Sequence, residues 1–279
     1  MQGAQFIASS ASLCDKDTGY CGPYVKLGNS MAVILKSQAE RAQIRAAGRI
    51  VADVLAELRN AVHPGITTDE IDQRAAEILR QRGARSSSLG YHGYPKTLCT
   101  SVNDEIVHGI PGQRALQEGD IVSIDFAALY NGWHADSAIT VAVGTVAPEV
   151  QRLLRVTEDA LYRGIAVARA GNGLHQISRA IQQYVEAAGF AVVRHYGGHG
   201  VGRSMHEDPQ VLNYIEPGYP NIMLKAGMVI AIEPMVNMGA KETEVLADKW
   251  TVVTADHSYS AHFEHTIAIT DRNAEILTL

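Results

Sequence analysis

From Glu40 onward apolar residues recur at helical spacing. Ile44, Ala47, Ile50, Val51, Val54, Leu55 and Leu58 share one face of a 3.6-residue period. His63-Pro64-Gly65 ends that run, because proline cannot continue a helix and glycine turns the chain easily. Thr68 is then expected to cap a second helix, DEIDQRAAEILRQRG, which stops at Gly83. After a turn-rich loop, SSSLGYHGYPKT, the pattern becomes strand-like. IVSIDFAALY and HADSAITVAV flank Asn131-Gly132, a dipeptide that favours a two-residue hairpin turn.

The plan then repeats. One helix is predicted over about 149–168 with a break at Gly171, and another over about 174–188, ending at Gly189. Gly65 and Gly83 are 18 residues apart, as are Gly171 and Gly189, and Ile71 matches Ile177. LQEGDIVSID (116–125) aligns with LKAGMVIAIE (224–233), so the two offsets, 106 and 108, nearly keep register. Two copies of a helix–helix–strand unit are too few for a solenoid. They predict one pseudo-symmetric α+β domain with a site between its halves. In that alignment Asp125 falls on Glu233, an acid at the same strand position of both copies.

Residues 1–30 differ. MQGAQFIASSASLC and DTGYCGPYVKLGNS are rich in Ser and Gly without a period, and Met31 is a second plausible start. The expected organisation is a weakly ordered extension over 1–34, such as a leader, before a catalytic domain over 35–279. A packed N-terminal arm is the alternative.

Composition narrows the class. With 46% hydrophobic and 19% charged residues, the 279-residue chain is neither disordered nor a coiled coil. A net charge of −6 provides no global basic field for nucleic acid or anionic lipid. Cys14, Cys21 and Cys99 are too few for a disulfide framework, so a reducing compartment is the default. Cys14 and Cys21 leave a pairing or a shared metal open, but no CxxC or nearby His supports zinc. No apolar run is long enough for a membrane helix. No basic segment followed by an apolar core marks a secretory signal.

Four acids stand in apolar, strand-like settings: Asp125, Asp136, Glu233 and Glu264. A single such acid reads as a solvated edge residue or a cap; four together do not, since buried carboxylates need partners. No Lys or Arg occurs in 115–151, 226–240 or 250–271, so no sequence-local salt bridge can supply them. Either distant basic residues fold in, or the cation is a metal. With Asn131 and Gly132 as the turn, Asp125 faces Ala138, and Asp136 lies two residues away on the same face. The two carboxylates are then diagonal neighbours about 7–8 Å apart along the backbone. They repel unless a proton or a cation sits between them.

Among eleven histidines, His199 in YGGHGVGR, His206 in SMHEDPQ and His108 in EIVHGIPG stand apart. The glycines around His199 let backbone and ligand approach closely. No GxGxxG or GK[ST] supports a phosphate cradle instead. His92, His262 and His265 are weaker candidates, the last two flanking Glu264. Four carboxylates with one imidazole carry about −4, which two divalent cations balance. Such an oxygen-rich set suits Mn, Fe, Co or Zn. A cation pair about 3.5–4 Å apart is the arrangement that activates water and polarises a carbonyl.

At these residues the chain closely resembles type I methionine aminopeptidases, of the pita-bread fold, over about 35–279. The resemblance rests on LGYHGYPKTLCTSVNDEIVHGIP, GDIVSIDF, the spaced pair Asp125 and Asp136, GGHGVGRSMHEDPQV, GMVIAIEPM and FEHTIAIT. It implies two similar halves around a curved antiparallel sheet. It implies that Asp125, Asp136, His199, Glu233 and Glu264 hold two divalent ions, with Asp136 and Glu264 bridging. Glu233 would also relay a proton from the activated water, His108 would assist proton transfer near the scissile amide, and His206 would bind the scissile carbonyl oxygen. Tyr91, Tyr94, Cys99, Met205 and Trp250 match positions lining the methionine side-chain pocket, with Ser88 in the same set. Aromatic and sulfur groups suit a thioether.

The chain departs from the family pattern at three places. Ser88 stands where Cys is expected, Met205 where Phe is common, and His262 where Gln is usual. The first two bear on pocket shape; the third alters the surroundings of the ligands or adds a titrating group. The zinc-finger region of some eukaryotic type I enzymes and the large helical insert of type II enzymes are not seen. The implied activity is removal of the N-terminal methionine from nascent polypeptides with a small second residue, through a dimetal-activated water. The implied setting is the cytoplasm, at the ribosome, as a monomer without nucleic-acid or membrane binding of its own. Two rivals are a prolyl-specific aminopeptidase or prolidase of the same fold, and a metal-free pita-bread binding protein. The short N-terminus argues against the first; the second predicts lost ligands.

Overall fold

The computed structural model describes residues 33–279. The expected extension, apart from 33 and 34, lies outside the described residues, and so do Cys14 and Cys21. Four helices form two pairs, α1 (Gln38–Ala61) with α2 (Thr68–Gln81) and α3 (Pro148–Val167) with α4 (Leu174–Ala187). α1 starts where Ser37 and Glu40 satisfy each other's backbone N–H groups, a capping box.

The cap of α2 corrects the expectation. Thr67, not Thr68, accepts the Glu70 N–H, while Glu70 takes the Thr67 N–H. Thr68 is the first helical residue, and its hydroxyl is engaged with both backbone groups of Gly112, at 3.0 and 2.9 Å. Pro148 opens α3 at a position where its missing N–H costs nothing.

The main sheet has nine strands, numbered here β1 (Arg85–Ser86), β2 (Cys99–Val102), β3 (Ile121–Tyr130), β4 (Trp133–Ala142), β5 (Gly197–Gly200), β6 (Glu207–Leu212), β7 (Val229–Ile232), β8 (Glu264–Ile269) and β9 (Ala274–Ile276). Their order is β1-β3-β4-β8-β7-β5-β6, with β2 on β3 and β9 on β8, all antiparallel. Two three-stranded sheets flank it, one of Ala191–Val192, Met235–Asn237 and Ser260–His262, the other of Glu105–Val107, Thr243–Val245 and Val252–Thr254. The β3–β4 hairpin has the predicted register: Tyr130 pairs with Trp133, and Asp125 with Ala138, without a bulge. Asn131 and Gly132 both take positive φ, 51° and 77°, as a type I′ turn requires.

Helix faces and one sheet face make a single core. Ile44, Val51, Val54 and Leu58 of α1 pack with Ile124, Phe126 and Ala128 of β3, and Leu153, Leu161, Ile177 and Ile181 extend the core through α3 and α4. Alternation along β3 turns Asp125 to the opposite face from Ile124 and Phe126. The internal repeat is visible in isolated bridges: Thr67 pairs with Ala115 and Gly173 with Met223, at the two offsets found in the sequence. Among the described residues no helix is long and apolar enough to cross a membrane.

Candidate metal centre

Strand registers gather the four acids. Ala138 of β4 faces Asp125 on one side and Glu264 of β8 on the other, so Asp125, Asp136 and Glu264 emerge on one sheet face. His265 pairs with Ile232, which sets Glu233, just past β7, alongside Glu264. Thr266 fixes Asp136 by donating to its carbonyl at 2.7 Å and accepting its N–H at 3.0 Å. Ser137 donates to the Glu264 carbonyl at 2.5 Å.

His199 arrives on β5 between two glycines that no other residue could replace in place. A Cβ on Gly198 would sit 2.1 Å from the Ala231 carbonyl oxygen, and one on Gly200 2.4 Å from that of Asp208. Gly198→Ala is therefore expected to force β5 from β7, at a cost of about 1–3 kcal/mol, and to weaken divalent-ion binding as His199 shifts. A thermal melt and a titration with Mn(II) check this; unchanged values in both would contradict it.

The imidazole orientation of His199 is informative. Its Nδ1 lies 2.9 Å from the Gly200 carbonyl, which can only accept, so Nδ1 carries the proton. Nε2 then presents a lone pair, 3.9 Å from Asp136 Oδ2 and 3.6 Å from Glu233 Oε1. One ligand atom from each of Asp136, His199 and Glu264 lies within 4.8 Å of the others. Acceptors are thus turned toward acceptors, an arrangement favourable only with a cation or a proton between them.

Electrostatics agrees. Burial pushes the carboxyls of Asp125, Asp136, Glu233 and Glu264 upward, and for Asp125, Glu233 and Glu264 neighbouring carboxylates push further; Asp136 reaches about 6. Asp136 Oδ1 and Glu264 Oε1 are buried without a hydrogen-bond partner among the described residues. The ion-pair neighbours of these acids are His199 and His262, and among the described residues no Lys or Arg pairs with any of them. Burial holds His108 and His199 down at about 4 and His262 at about 3, so these imidazoles are neutral near pH 7 and cannot offset the carboxylates. The donor set therefore fits a divalent cation.

Histidines and aromatics rim this cluster. The His206 ring lies 4.2 Å from that of His199, and its Nδ1 shares a 2.7 Å hydrogen bond with the Tyr91 hydroxyl. His108 is held at φ 61°, with its ring 6.0 Å from Tyr196 and 6.4 Å from Trp250. Tyr94 donates to the carbonyl of Leu98 or Gly109, at 3.1 and 2.9 Å, and its ring meets Trp250 at 5.1 Å. Cys99 is buried on β2 directly opposite Asp125. Met205 is buried one residue before His206. Ser88 joins the set through its carbonyl, which accepts the Tyr91 N–H at 2.9 Å.

Two weaker candidates lie apart. His92 is exposed, with its ring against Tyr91. His265 alternates to the helix side of β8, where Nδ1 meets Thr278 at 2.9 Å and Nε2 meets Tyr162 at 3.3 Å. Sequence reasoning missed Tyr196, and also the buried pair Lys36–Glu207. Glu207 also accepts the Arg203 N–H at 2.8 Å, which holds the turn leading to His206. Nothing local flags Lys36, whose partner is 171 residues away.

Comparison with known proteins places this geometry. The sequence profile of metallopeptidase family M24 matches residues 42–271. Methionine aminopeptidase 1 of Bacillus subtilis is 52% identical over 88% of this chain and 99% of its own length. The Escherichia coli K12 methionine aminopeptidase is 45% identical over 89% and 95%. Among solved structures, the methionine aminopeptidase of Rickettsia prowazekii superposes with a TM-score of 0.87 at 40% identity, covering 89% of this chain and 100% of that one. Prolidase from Pyrococcus furiosus, at 23% identity and TM-score 0.72 over 88% of this chain and 65% of that one, shares the fold alone. With its pita-bread fold and its buried Asp/His/Glu cluster, the chain belongs to metallopeptidase family M24, among the methionine aminopeptidases.

Proposed function

We infer that this chain removes the N-terminal methionine from polypeptides with a small second residue, using two divalent cations held by Asp125, Asp136, His199, Glu233 and Glu264. In this reading Asp136 and Glu264 would be the carboxylates shared between the two cations. The observation that carries it is the His199 lone pair facing Asp136 and Glu233, with no basic side chain paired to the acids among the described residues. Co, Mn, Fe and Zn all suit the donor set. When bound, the cations supply Lewis acidity, which activates water and polarises a carbonyl.

The chain's own groups supply the rest. The Tyr91 hydroxyl, donating to His206 Nδ1, sets the proton on Nε2, which hydrogen-bonds the scissile carbonyl oxygen as charge develops there. The Glu233 carboxylate takes a proton and passes it to the departing amine. His108 contacts the substrate near the scissile amide and assists its proton transfers. Tyr91, Tyr94, Cys99, Met205 and Trp250, with Ser88 behind Tyr91, line the methionine side chain. The substrates are nascent chains met at the ribosome, in the cytoplasm, and the enzyme works as a monomer.

A peptide panel tests this. Met-Ala-x is expected to be cleaved, Met-Leu-x and Ala-Pro-x far less, and a chelator is expected to stop turnover. Preferred cleavage of Ala-Pro-x would favour the prolyl-specific rival. Less than one bound ion per chain, with no peptidase activity, would favour a binding module.

A further inference from the structure

His262 is a buried side chain that the mechanism above leaves without a task. It is 1% exposed, and among the described residues neither ring nitrogen has a hydrogen-bond partner. A buried imidazole always carries at least one N–H or lone pair to satisfy, so an unpartnered one calls for an account. Its backbone is braced on both sides: the Thr140 hydroxyl accepts the His262 N–H at 2.9 Å and donates to its carbonyl at 2.7 Å. That brace, together with pairing to Met235, fixes where the side chain starts. His262 Nε2 stands 3.8 Å from Glu233 Oε2, while the other oxygen, Oε1, faces His199. The two imidazoles thus flank one carboxylate from opposite oxygens.

Two roles are open to a ring in this place. As a metal ligand it would need to join other donors around one point. Among the described residues His262 Nε2 stands near one of the four acids, Glu233, whereas His199 Nε2 faces both Asp136 and Glu233. As a hydrogen-bond donor it needs only Glu233 Oε2, the carboxylate oxygen that its Nε2 faces. The gap of 3.8 Å is longer than a hydrogen bond, and catalytic contacts of this kind tighten when the site is loaded.

We propose that His262 is a positioning residue for Glu233: its Nε2–H holds Oε2, so that Oε1 stays turned toward His199 and the cation. The proposal rests on the metal-dependent reading of the site. It makes the His at this position a functional equivalent of a glutamine, since both present an N–H to the same oxygen.

The test compares His262→Gln, which retains a donor, with His262→Leu, which fills the space without one. Co(II) binding is measured by calorimetry and by the ion's visible absorption, alongside kcat and KM on Met-Ala-Ser. His262→Leu is expected to bind Co(II) about 10–100-fold more weakly, the usual loss for a residue that orients a ligand. Its absorption should change and its kcat fall with little change in KM. His262→Gln is expected to stay near the wild type in all four readouts. Wild-type Co(II) affinity in a folded His262→Leu protein would overturn the proposal. Equal losses in both variants would also overturn it, by making His262 a ligand in its own right. If His262→Leu does not fold, a His262→Gln protein with lost Co(II) affinity overturns it and one with retained affinity supports it. Wild-type protein that neither binds Co(II) nor cleaves the peptide would instead sink the underlying functional reading.

Discussion

Asp136→Ala is expected to abolish turnover and reduce the bound divalent ions from two to at most one. Asp136 shares one sheet face with Asp125 and Glu264 and stands 3.9 Å from His199 Nε2, so its removal disturbs both halves of the donor set. Metal analysis and peptide assay of the purified variant check this, and full activity would refute the bridging role. The same variant carries a stability signature of opposite sign. Burial raises the Asp136 carboxyl to about 6, so in protein stripped of metal the folded state holds a proton that the unfolded chain releases near 4. Folded protein then binds more protons than unfolded between these values, and stability falls as pH rises from about 4 through 6. Chelator-treated wild type should therefore lose melting temperature across this window, and chelator-treated Asp136→Ala should lose less. With metal present the order should reverse, since only the wild type gains the full binding energy.

His206→Ala should leave the metals in place and lower turnover about 10²–10³-fold, the loss expected for one hydrogen-bond donor to a developing oxyanion. The ring meets that of His199 edge-on with centroids 4.2 Å apart, and its Nδ1 is engaged by the Tyr91 hydroxyl. Unchanged metal content with a lower kcat is thus the diagnostic pair of results. Loss of metal in this variant would contradict the role. Tyr91→Phe should show a smaller loss, because the imidazole remains but the proton on Nε2 is no longer set by the hydroxyl at Nδ1.

The hairpin shows what local sequence can encode. Asn131-Gly132 is a turn whose geometry sets register, so the pairing of Asp125 with Ala138 was legible without any tertiary information. The internal repeat was legible for a similar reason: glycines that end helices and start strands recur at matched offsets, and matched bridges follow. The cap of α2 was not, because Thr67 and Thr68 are chemically equal candidates. The Gly112 backbone, reached only by folding, takes the Thr68 hydroxyl and leaves Thr67 to cap. His262 and His265 flank Glu264 alike in the chain, yet alternation and packing send one toward Glu233 and the other toward Tyr162.

By itself the sequence determined the helix and strand periods, the hairpin register, the repeat, and the absence of any local basic partner for four apolar-set acids. These are short-range properties, fixed by periodicity, turn chemistry and composition. Only the tertiary structure decided which histidines meet those acids, that Tyr196 meets the His108 ring, that Lys36 pairs with Glu207, and that no distant Lys or Arg among the described residues pairs with the acids. The pairing of Glu264 with Ala138 joins strands far apart in the chain. Such pairing is selected by burial of whole helix and sheet faces, to which no local residue pattern is bound.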